Sequence, residues 1–134
     1  MFDSLDISSS GLQAQRIRLD TIANNIANIN TTHDKNGNPA PFRRQFAVCQ
    51  VGDGTDPSKP GVHVKEIASD KSDFREVFEP NSPDADASGI VRYPNIEMTT
   101  EYVNALECTR AYEANVTAME ATKSMLNAAL RLLA

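Results

Sequence analysis

The chain has 134 residues, which is enough for one ordinary domain and not for two. Its formal net charge is −5 and its basic residues do not cluster, so the sequence disfavours nucleic-acid binding. No apolar run approaches the length of a membrane span, and the first residues lack the basic and apolar regions of a secretory signal peptide. We therefore expect neither a membrane helix nor a cleaved leader.

Residues 1–32 are predicted to form a long helix with one apolar stripe. Spacings of three and four alternate along it, which is the pattern of a coiled-coil seam. The seam positions, six of them apolar, are Leu5, Ser8, Leu12, Gln15, Leu19, Ile22, Ile26 and Ile29. Ser8 to Gly11 lower the intrinsic helix propensity by on the order of 2 kcal/mol relative to alanine. The helix therefore depends on packing against a partner.

Residues 33–94 are predicted to form a small extended or β-rich middle region. Strands are expected at residues 42–51 and 62–67, joined as a hairpin through a long loop rich in Gly, Pro and Asp. Further extended segments are expected at 74–78 and 90–93. The region holds too few apolar residues for a large core of its own.

Residues 95–134 are predicted to form the second long helix, with Asn95 as its N-cap. After Pro94 the chain contains no Gly and no Pro. One heptad series is Met98, Ala105, Tyr112, Met119, Leu126 and Leu133; the interleaved series is Tyr102, Thr109, Val116, Lys123 and Leu130. Such a helix is about 55 Å long, beyond the roughly 30 Å of a small domain. Its stripe therefore requires a partner helix and, we expect, partner subunits. The fold class is mainly α with a small β part, its terminal helices pairing as a coiled-coil layer.

Lys123 stands at a seam position, and two interpretations remain open for it. Its stem can lie along the seam while the ammonium reaches solvent, near Glu120. Alternatively, it fixes the register or pairs with an acid of a neighbouring subunit.

No arrangement of residues points to catalysis, a cofactor, a metal or a small-molecule substrate. His33 and His63 are isolated and have no metal-ligand spacing, so we interpret them as a solvated loop residue and a strand-surface residue. Cys49 and Cys108 belong to no CxxC or Cys/His motif and are interpreted as two small thiols. The sequence thus predicts that the protein is not an enzyme.

Two terminal motifs resemble those of the bacterial flagellar rod and hook proteins. The segment SSSGLQAQRIRLDTIANNIANINT, residues 8–31, resembles the N-terminal signature of that family, and Pro41 to Arg44 stand where a Tyr-Arg-Arg is usual. The segment TRAYEANVTAMEATKSML, residues 109–126, resembles its C-terminal motif. Residues 80–95 are similar to the short proximal rod members in particular. Glu101-Tyr102 departs from the usual Glu-Met.

The resemblance implies a structural subunit that assembles helically through its terminal helices around a central export channel. The motif and helix-interface residues it implies are Leu12, Leu19, Ile22, Asn25, Ile26, Ala27, Asn28, Thr31, Tyr112, Asn115, Val116, Met119, Lys123, Leu126 and Leu130. The implied partners are copies of itself, other rod subunits, the flagellar type III export apparatus, and membrane-ring and hook-side components. The implied location is the basal-body rod in the periplasmic space, reached without a cleavable signal peptide. The alternative from another class is a non-flagellar helical-hairpin adaptor or secretion chaperone.

Overall fold

Two long helices bracket four short strands in the computed structural model, which describes residues 2–134. The elements are α1 Phe2–Ala27, β1 Gln45–Val51, β2 Val62–Ser69, β3 Arg75–Phe78, β4 Ile90–Tyr93 and α2 Met98–Leu133. The predicted fold class, mainly α with a small β part between terminal helices, is confirmed. Met1, the first residue of the predicted segment 1–32, lies outside the described residues.

The two helices pack against each other in antiparallel orientation with one continuous register. The Ser4 and Thr122 hydroxyl oxygens are 3.4 Å apart, and the Asn25 amide nitrogen lies 3.3 Å from a Glu101 carboxylate oxygen. Between these pairs, a Cβ placed on Gly11 would lie 2.9 Å from the Asn115 side chain. In all three pairs the residue numbers add to 126. Gly11 thus allows the helices to approach at the middle of their contact.

Among residues 2–134, the register places most of the end of α2 beyond the start of α1. α1 has 26 residues and α2 has 36, and the position opposite Phe2 is Ser124. Residues 125–133 therefore extend about 13 Å past the start of α1. We call this segment the α2 overhang.

Small and polar side chains fill the space between the helices. The buried helical residues are Ser8, Ala14, Thr21, Ile22, Asn25, Glu101, Cys108 and Thr122, and Ile22 is the single large aliphatic among them. Burial of apolar area stabilises a fold by about 25 cal/mol per Å². Few large apolar side chains are fully buried between the helices, and specific polar contacts help to fix their register.

The middle region contains two separate two-stranded antiparallel sheets. β1 pairs with β2 as the predicted hairpin, with an irregularity between Val48 and Cys49, and β3 pairs with β4. The hairpin lies against α1, where the Ser10 hydroxyl accepts a hydrogen bond of 3.1 Å from the Val62 amide. The pairing of β3 with β4 did not follow from the sequence.

β1 begins three residues later than predicted, and α1 ends before the predicted boundary at residue 32. The Phe42 amide donates to the Thr31 carbonyl and the Arg44 amide donates to the Asn95 side chain, so neither is free for a strand ladder. At the end of α1, the Asn28 side chain donates to the Asn24 carbonyl at 2.8 Å. Such local side-chain bonds compete with continuation of a helix.

Candidate functional site

Five polar residues meet where the end of α1, the start of β1 and the first turn of α2 come together. They are Asn25, Arg44, Asp70, Asn95 and Glu101, and we call them the polar cluster. Among the described residues, every buried side-chain nitrogen and oxygen has a hydrogen-bond partner. Because an unpartnered buried polar group costs about 1–3 kcal/mol, this complete pairing stabilises the junction.

Asn25 ties α1 to the first residue of β1. Its side-chain oxygen accepts from the Gln45 amide at 2.9 Å, and its amide nitrogen donates to the Gln45 carbonyl at 2.7 Å. The side chain thus pairs with one strand residue as a neighbouring strand would. The same nitrogen lies 3.3 Å from Glu101 Oε2, and Asn25 is fully buried. Asn25 therefore holds α1, β1 and α2 in one arrangement.

Glu101 is a fully buried carboxylate paired with an arginine. Its Oε1 accepts from Arg44 Nε at 2.5 Å, while Oε2 accepts from Asn25. Glu101 lies in the first turn of α2, where the helix dipole favours a negative charge. Arg44 also lies 3.6 Å from Asp70 Oδ2. The buried charge therefore has a charged partner and a neutral donor, as a stable buried ion pair requires.

Asn95 connects this pair to the segment after β2, and its predicted role as the α2 N-cap is wrong. Its oxygen accepts from the Arg44 amide at 2.8 Å, and its amide donates to the carbonyls of Asp70 and Ser72. These bonds occupy both ends of the side chain, and α2 begins at Met98, so the N-cap position is Glu97, which makes no side-chain capping bond. At Asp70, hydrogen bonds from Ser72 and the nearby Arg44 charge hold the pKa below its ordinary value.

The predicted motif residues of α1 fall on two sides of the helix and on the turn that follows it. Ile22 and Asn25 are buried, while Leu12, Leu19 and Ile26 are half-buried. Ala27 is exposed. Beyond the helix, the Thr31 hydroxyl donates to the Asn28 side chain at 3.1 Å, and both residues are half-buried. Of this set, the structure brings Asn25 into the polar cluster.

The predicted residues of α2 also divide by exposure. Asn115, Val116, Met119 and Leu126 are half-buried, whereas Tyr112, Lys123 and Leu130 are exposed. The side facing α1 is centred on Glu101, Cys108 and Thr122, one position before the series Tyr102, Thr109, Val116, Lys123 and Leu130. Within the part of the chain that the structure describes, the Lys123 ammonium makes no ion pair.

Large apolar side chains are left uncovered along α2. They are Tyr102, Val103, Leu106, Tyr112, Met125, Leu130, Leu132 and Leu133. Four of them, Met125, Leu130, Leu132 and Leu133, lie on the α2 overhang, where Leu132 and Leu133 are 87% and 85% exposed. Sequence reasoning found the apolar stripe, and the structure shows that much of it does not face α1.

The chain is similar along nearly its whole length to known flagellar proteins. Residues 5–32 match the family described as "Flagella basal body rod protein", and residues 87–132 match "Flagellar basal body rod FlgEFG protein C-terminal". The flagellar basal-body rod protein FlgC of Bacillus subtilis is 42% identical over 98% of this chain and 97% of its own. The chain belongs to the FlgC family of flagellar basal-body rod proteins. FlgC of Borreliella burgdorferi is 36% identical over 99% of this chain and 97% of its own.

The two matched regions of this FlgC-family chain contain most of the polar cluster. The first includes Asn25, and the second includes Asn95 and Glu101. Arg44 and Asp70 lie between the two regions. The ion pair of Arg44 with Glu101 therefore joins the middle region to the helices.

The histidines and cysteines are placed apart from the polar cluster. His63 Nδ1 lies 2.9 Å from the Gly52 carbonyl oxygen at the hairpin tip, and His33 contacts Thr32 and Asp84. Both histidines are half-buried and hydrogen-bonded, and the side chain of His33, interpreted above as a solvated loop residue, is 36% exposed. Cys108 is buried, Cys49 is exposed, and both thiols are free.

Within residues 2–134, no three His, Cys, Asp or Glu side chains lie close enough together to hold a metal ion. No helix in this part of the chain is long and apolar enough to cross a membrane.

Proposed function

We propose that this chain is a structural subunit of the flagellar basal-body rod and assembles through the apolar side of α2. Membership of the FlgC family supports the rod assignment. We infer the mode of assembly from the α2 overhang, on which four large apolar side chains are exposed: Met125, Leu130, Leu132 and Leu133. Contiguous exposed apolar side chains at a helix end are typical of an interface between proteins.

The two parts of the molecule have different roles in this proposal. The polar cluster fixes the angle and register between α1 and α2 within one subunit, because its bonds are directional and buried. The overhang and the outer stripe of α2 supply apolar area to neighbouring subunits. A subunit of defined shape then presents the same apolar surface in each copy, as helical assembly requires.

The proposed partners are copies of this chain and other rod subunits, with membrane-ring and hook-side components at the two ends of the rod. We further propose that the flagellar type III apparatus exports the chain without a cleaved leader and that the rod lies in the periplasmic space around the export channel. The chain carries out no catalysis and needs no cofactor, metal or small-molecule substrate in this role. The alternative of an adaptor or secretion chaperone finds no support in the relatives.

A complementation experiment tests the proposal. A strain lacking its own FlgC-family gene receives either the full chain or a chain ending at Ser124, which removes the α2 overhang. Purified basal bodies are then probed for the protein and counted by electron microscopy. We expect rods containing the protein with the full chain and none with the shortened chain, although both are expressed.

Small-angle scattering on the purified full chain distinguishes the alternative. A chaperone is expected to be a stable dimer in dilute solution, whereas a rod subunit is expected to be monomeric. A stable dimer together with absence from purified basal bodies would contradict the rod assignment.

A further inference from the structure

Three side chains outside the polar cluster join the segment after α1 to the loop between β3 and β4. The Thr32 hydroxyl donates to Asp84 Oδ2 at 2.9 Å, and Thr32 Oγ1 also lies 3.0 Å from His33 Nδ1. The other ring nitrogen, His33 Nε2, lies 3.2 Å from Asp84 Oδ1. We call Thr32, His33 and Asp84 the threonine–histidine–aspartate clip.

The number of protons available decides whether all three contacts are favourable. Thr32 has a single hydroxyl hydrogen, and when it is donated to ionised Asp84, His33 Nδ1 must act as the donor to Thr32 Oγ1. His33 Nε2 also needs a proton, because a bare lone pair there would face a carboxylate oxygen at 3.2 Å. All three contacts are therefore attractive together when the imidazole carries two protons and a positive charge.

A neutral imidazole loses one of these contacts in either tautomer. With the proton on Nε2, the Thr32 hydroxyl must choose between Nδ1 and Asp84. With the proton on Nδ1, the Nε2 lone pair is directed at the Asp84 carboxylate. The side chains of His33 and Asp84 are 36% and 30% exposed, so they are neither fully screened by water nor fully desolvated.

The clip joins two segments that otherwise form the walls of an open cleft. On one side the turn at residues 33–41 folds back, with the Ala40 amide donating to the Thr32 carbonyl at 3.0 Å. The cleft has a volume of about 540 Å³ and is lined by Pro39 and Pro41 of the turn, by Asp86 of the β3–β4 loop and by Arg92 of β4. Loss of the clip contacts would therefore weaken the attachment of the turn to the β3–β4 loop.

The charged groups near His33 come from its own turn, from the β3–β4 loop and from β4. Asp84 faces it from the β3–β4 loop. In its own turn, Asp34 is occupied by the Asn36 and Asn38 amides, and the bond from Asn38 above all lowers the pKa of Asp34. Lys35 lies in the same turn, and Asp86 and Arg92 line the cleft beside Thr32. On the far side of Asp84, the Tyr93 hydroxyl donates to Glu79.

We propose that the threonine–histidine–aspartate clip is a pH-sensitive fastener between residues 33–41 and 79–89. It is closed when His33 is doubly protonated and weakens when His33 loses a proton, because the charge-assisted contact with Asp84 is then lost. Histidine is the side chain whose charge ordinarily changes between pH 5 and 8.

Hydrogen–deuterium exchange on the full chain tests the proposal at pH 5.5 and pH 8.0, expressed as protection factors so that intrinsic exchange rates cancel. We expect protection of residues 33–41 and 79–89 to fall by about two- to fivefold at the higher pH, as for a partly exposed ion pair. His33→Gln keeps hydrogen-bonding capacity without a charge and should remove this pH dependence. His63→Gln, at the hairpin tip, should leave it unchanged. Equal protection at the two pH values, or a pH dependence that survives His33→Gln, would overturn the proposal.

Nitrogen-15 chemical shifts of the His33 ring give a readout that needs no variant. At pH 5.5 both ring nitrogens should appear as N–H groups, and deprotonation should coincide with the loss of protection in residues 79–89. A ring that is neutral at pH 5.5, or that titrates without any change in protection, would equally overturn the proposal.

Discussion

Glu101, fully buried in the first turn of α2, pairs with Arg44, whose Nε lies 2.5 Å from the carboxylate. The two residues are far apart in the chain, and neither belongs to the apolar seams. Their contact joins the helical layer to the middle region at the point where Asn25 also enters. The charge pair therefore ties α2 to the middle region, and Asn25 ties α1 to the same point.

Replacing the buried carboxylate by its neutral isostere is expected to destabilise the isolated chain. Glu101→Gln leaves the Arg44 guanidinium, which is only 20% exposed, without its charged partner. We expect the free energy of unfolding to fall by about 3 kcal/mol, the lower end for a broken buried pair, because Asp70 remains nearby. Urea unfolding followed by circular dichroism measures it. Glu120→Gln on the exposed side of α2 is the matched control and should change stability by less than about 0.5 kcal/mol.

We expect a negatively charged side chain at position 25 to destabilise the fold. Asn25→Asp replaces the donor to the Gln45 carbonyl and places a second carboxylate 3.3 Å from Glu101. We expect a loss of about 3 kcal/mol in the free energy of unfolding, from an unpaired carbonyl and two like charges in contact. The same exchange at the exposed neighbour, Asn24→Asp, should cost far less. Equal losses in the two variants would show that the cluster does not select an amide at position 25.

Because the Cys108 thiol is buried, we expect the free energy of unfolding to fall at alkaline pH. Burial raises its pKa, while nearby Arg18 acts weakly in the opposite direction. Above the ordinary cysteine pKa of about 8.5, the unfolded chain loses the proton that the folded chain still holds. The free energy of unfolding should therefore decrease from about pH 8.5 upward. Denaturant titrations at pH 7.5 and 9.5 should show a smaller decrease in Cys108→Ala than in the wild type, whereas Cys49→Ala should behave as the wild type.

Lys123 tests whether the outer side of α2 makes a charged contact between subunits. In the isolated chain it is exposed, so Lys123→Met should change the free energy of unfolding by no more than about 0.5 kcal/mol. If the ammonium pairs with an acid of a neighbouring subunit in the rod, the loss costs roughly 3 kcal/mol at that contact. We expect fewer rods in purified basal bodies, and recovery when the partner acid is also replaced by its neutral amide. Intact rods in normal number would contradict an ion pair between subunits and would support the interpretation that the Lys123 ammonium is directed at solvent.

The sequence predicted the elements better than their contacts. Apolar spacing located both helices, and turn residues located all four strands to within a few positions. The face of α2 that meets α1 could not be chosen this way, because two neighbouring stripes both satisfy spacings of three and four. Counting apolar residues favours the stripe through Tyr102 and Leu130, whereas the structure directs the one through Glu101, Cys108 and Thr122 at α1.

The polar cluster could not be predicted from the sequence, because its residues also fit ordinary local roles. Asn95 follows a proline and precedes a helix, which is the usual setting of an N-cap, yet its side chain bonds to Arg44 and to the segment after β2. Glu101 is ordinary in a first helical turn, and only its heptad spacing from Cys108, Asn115 and Thr122 sets it on the inner face. Long-range pairs such as these are fixed by tertiary structure, and local propensity does not encode them.

We expect the apolar end of α2 to be required between subunits and dispensable within one. Leu130 is 56% exposed on the α2 overhang, so a substitution there can affect assembly between subunits without affecting the stability of one subunit. The decisive measurement compares Leu130→Asp with Leu130→Met in a strain lacking its own gene, counting rods in purified basal bodies after the purified variants are shown to unfold at the wild-type urea midpoint. We expect normal rods with methionine and none with aspartate, since a charge would be buried between subunits. Normal rods with Leu130→Asp would contradict this expectation.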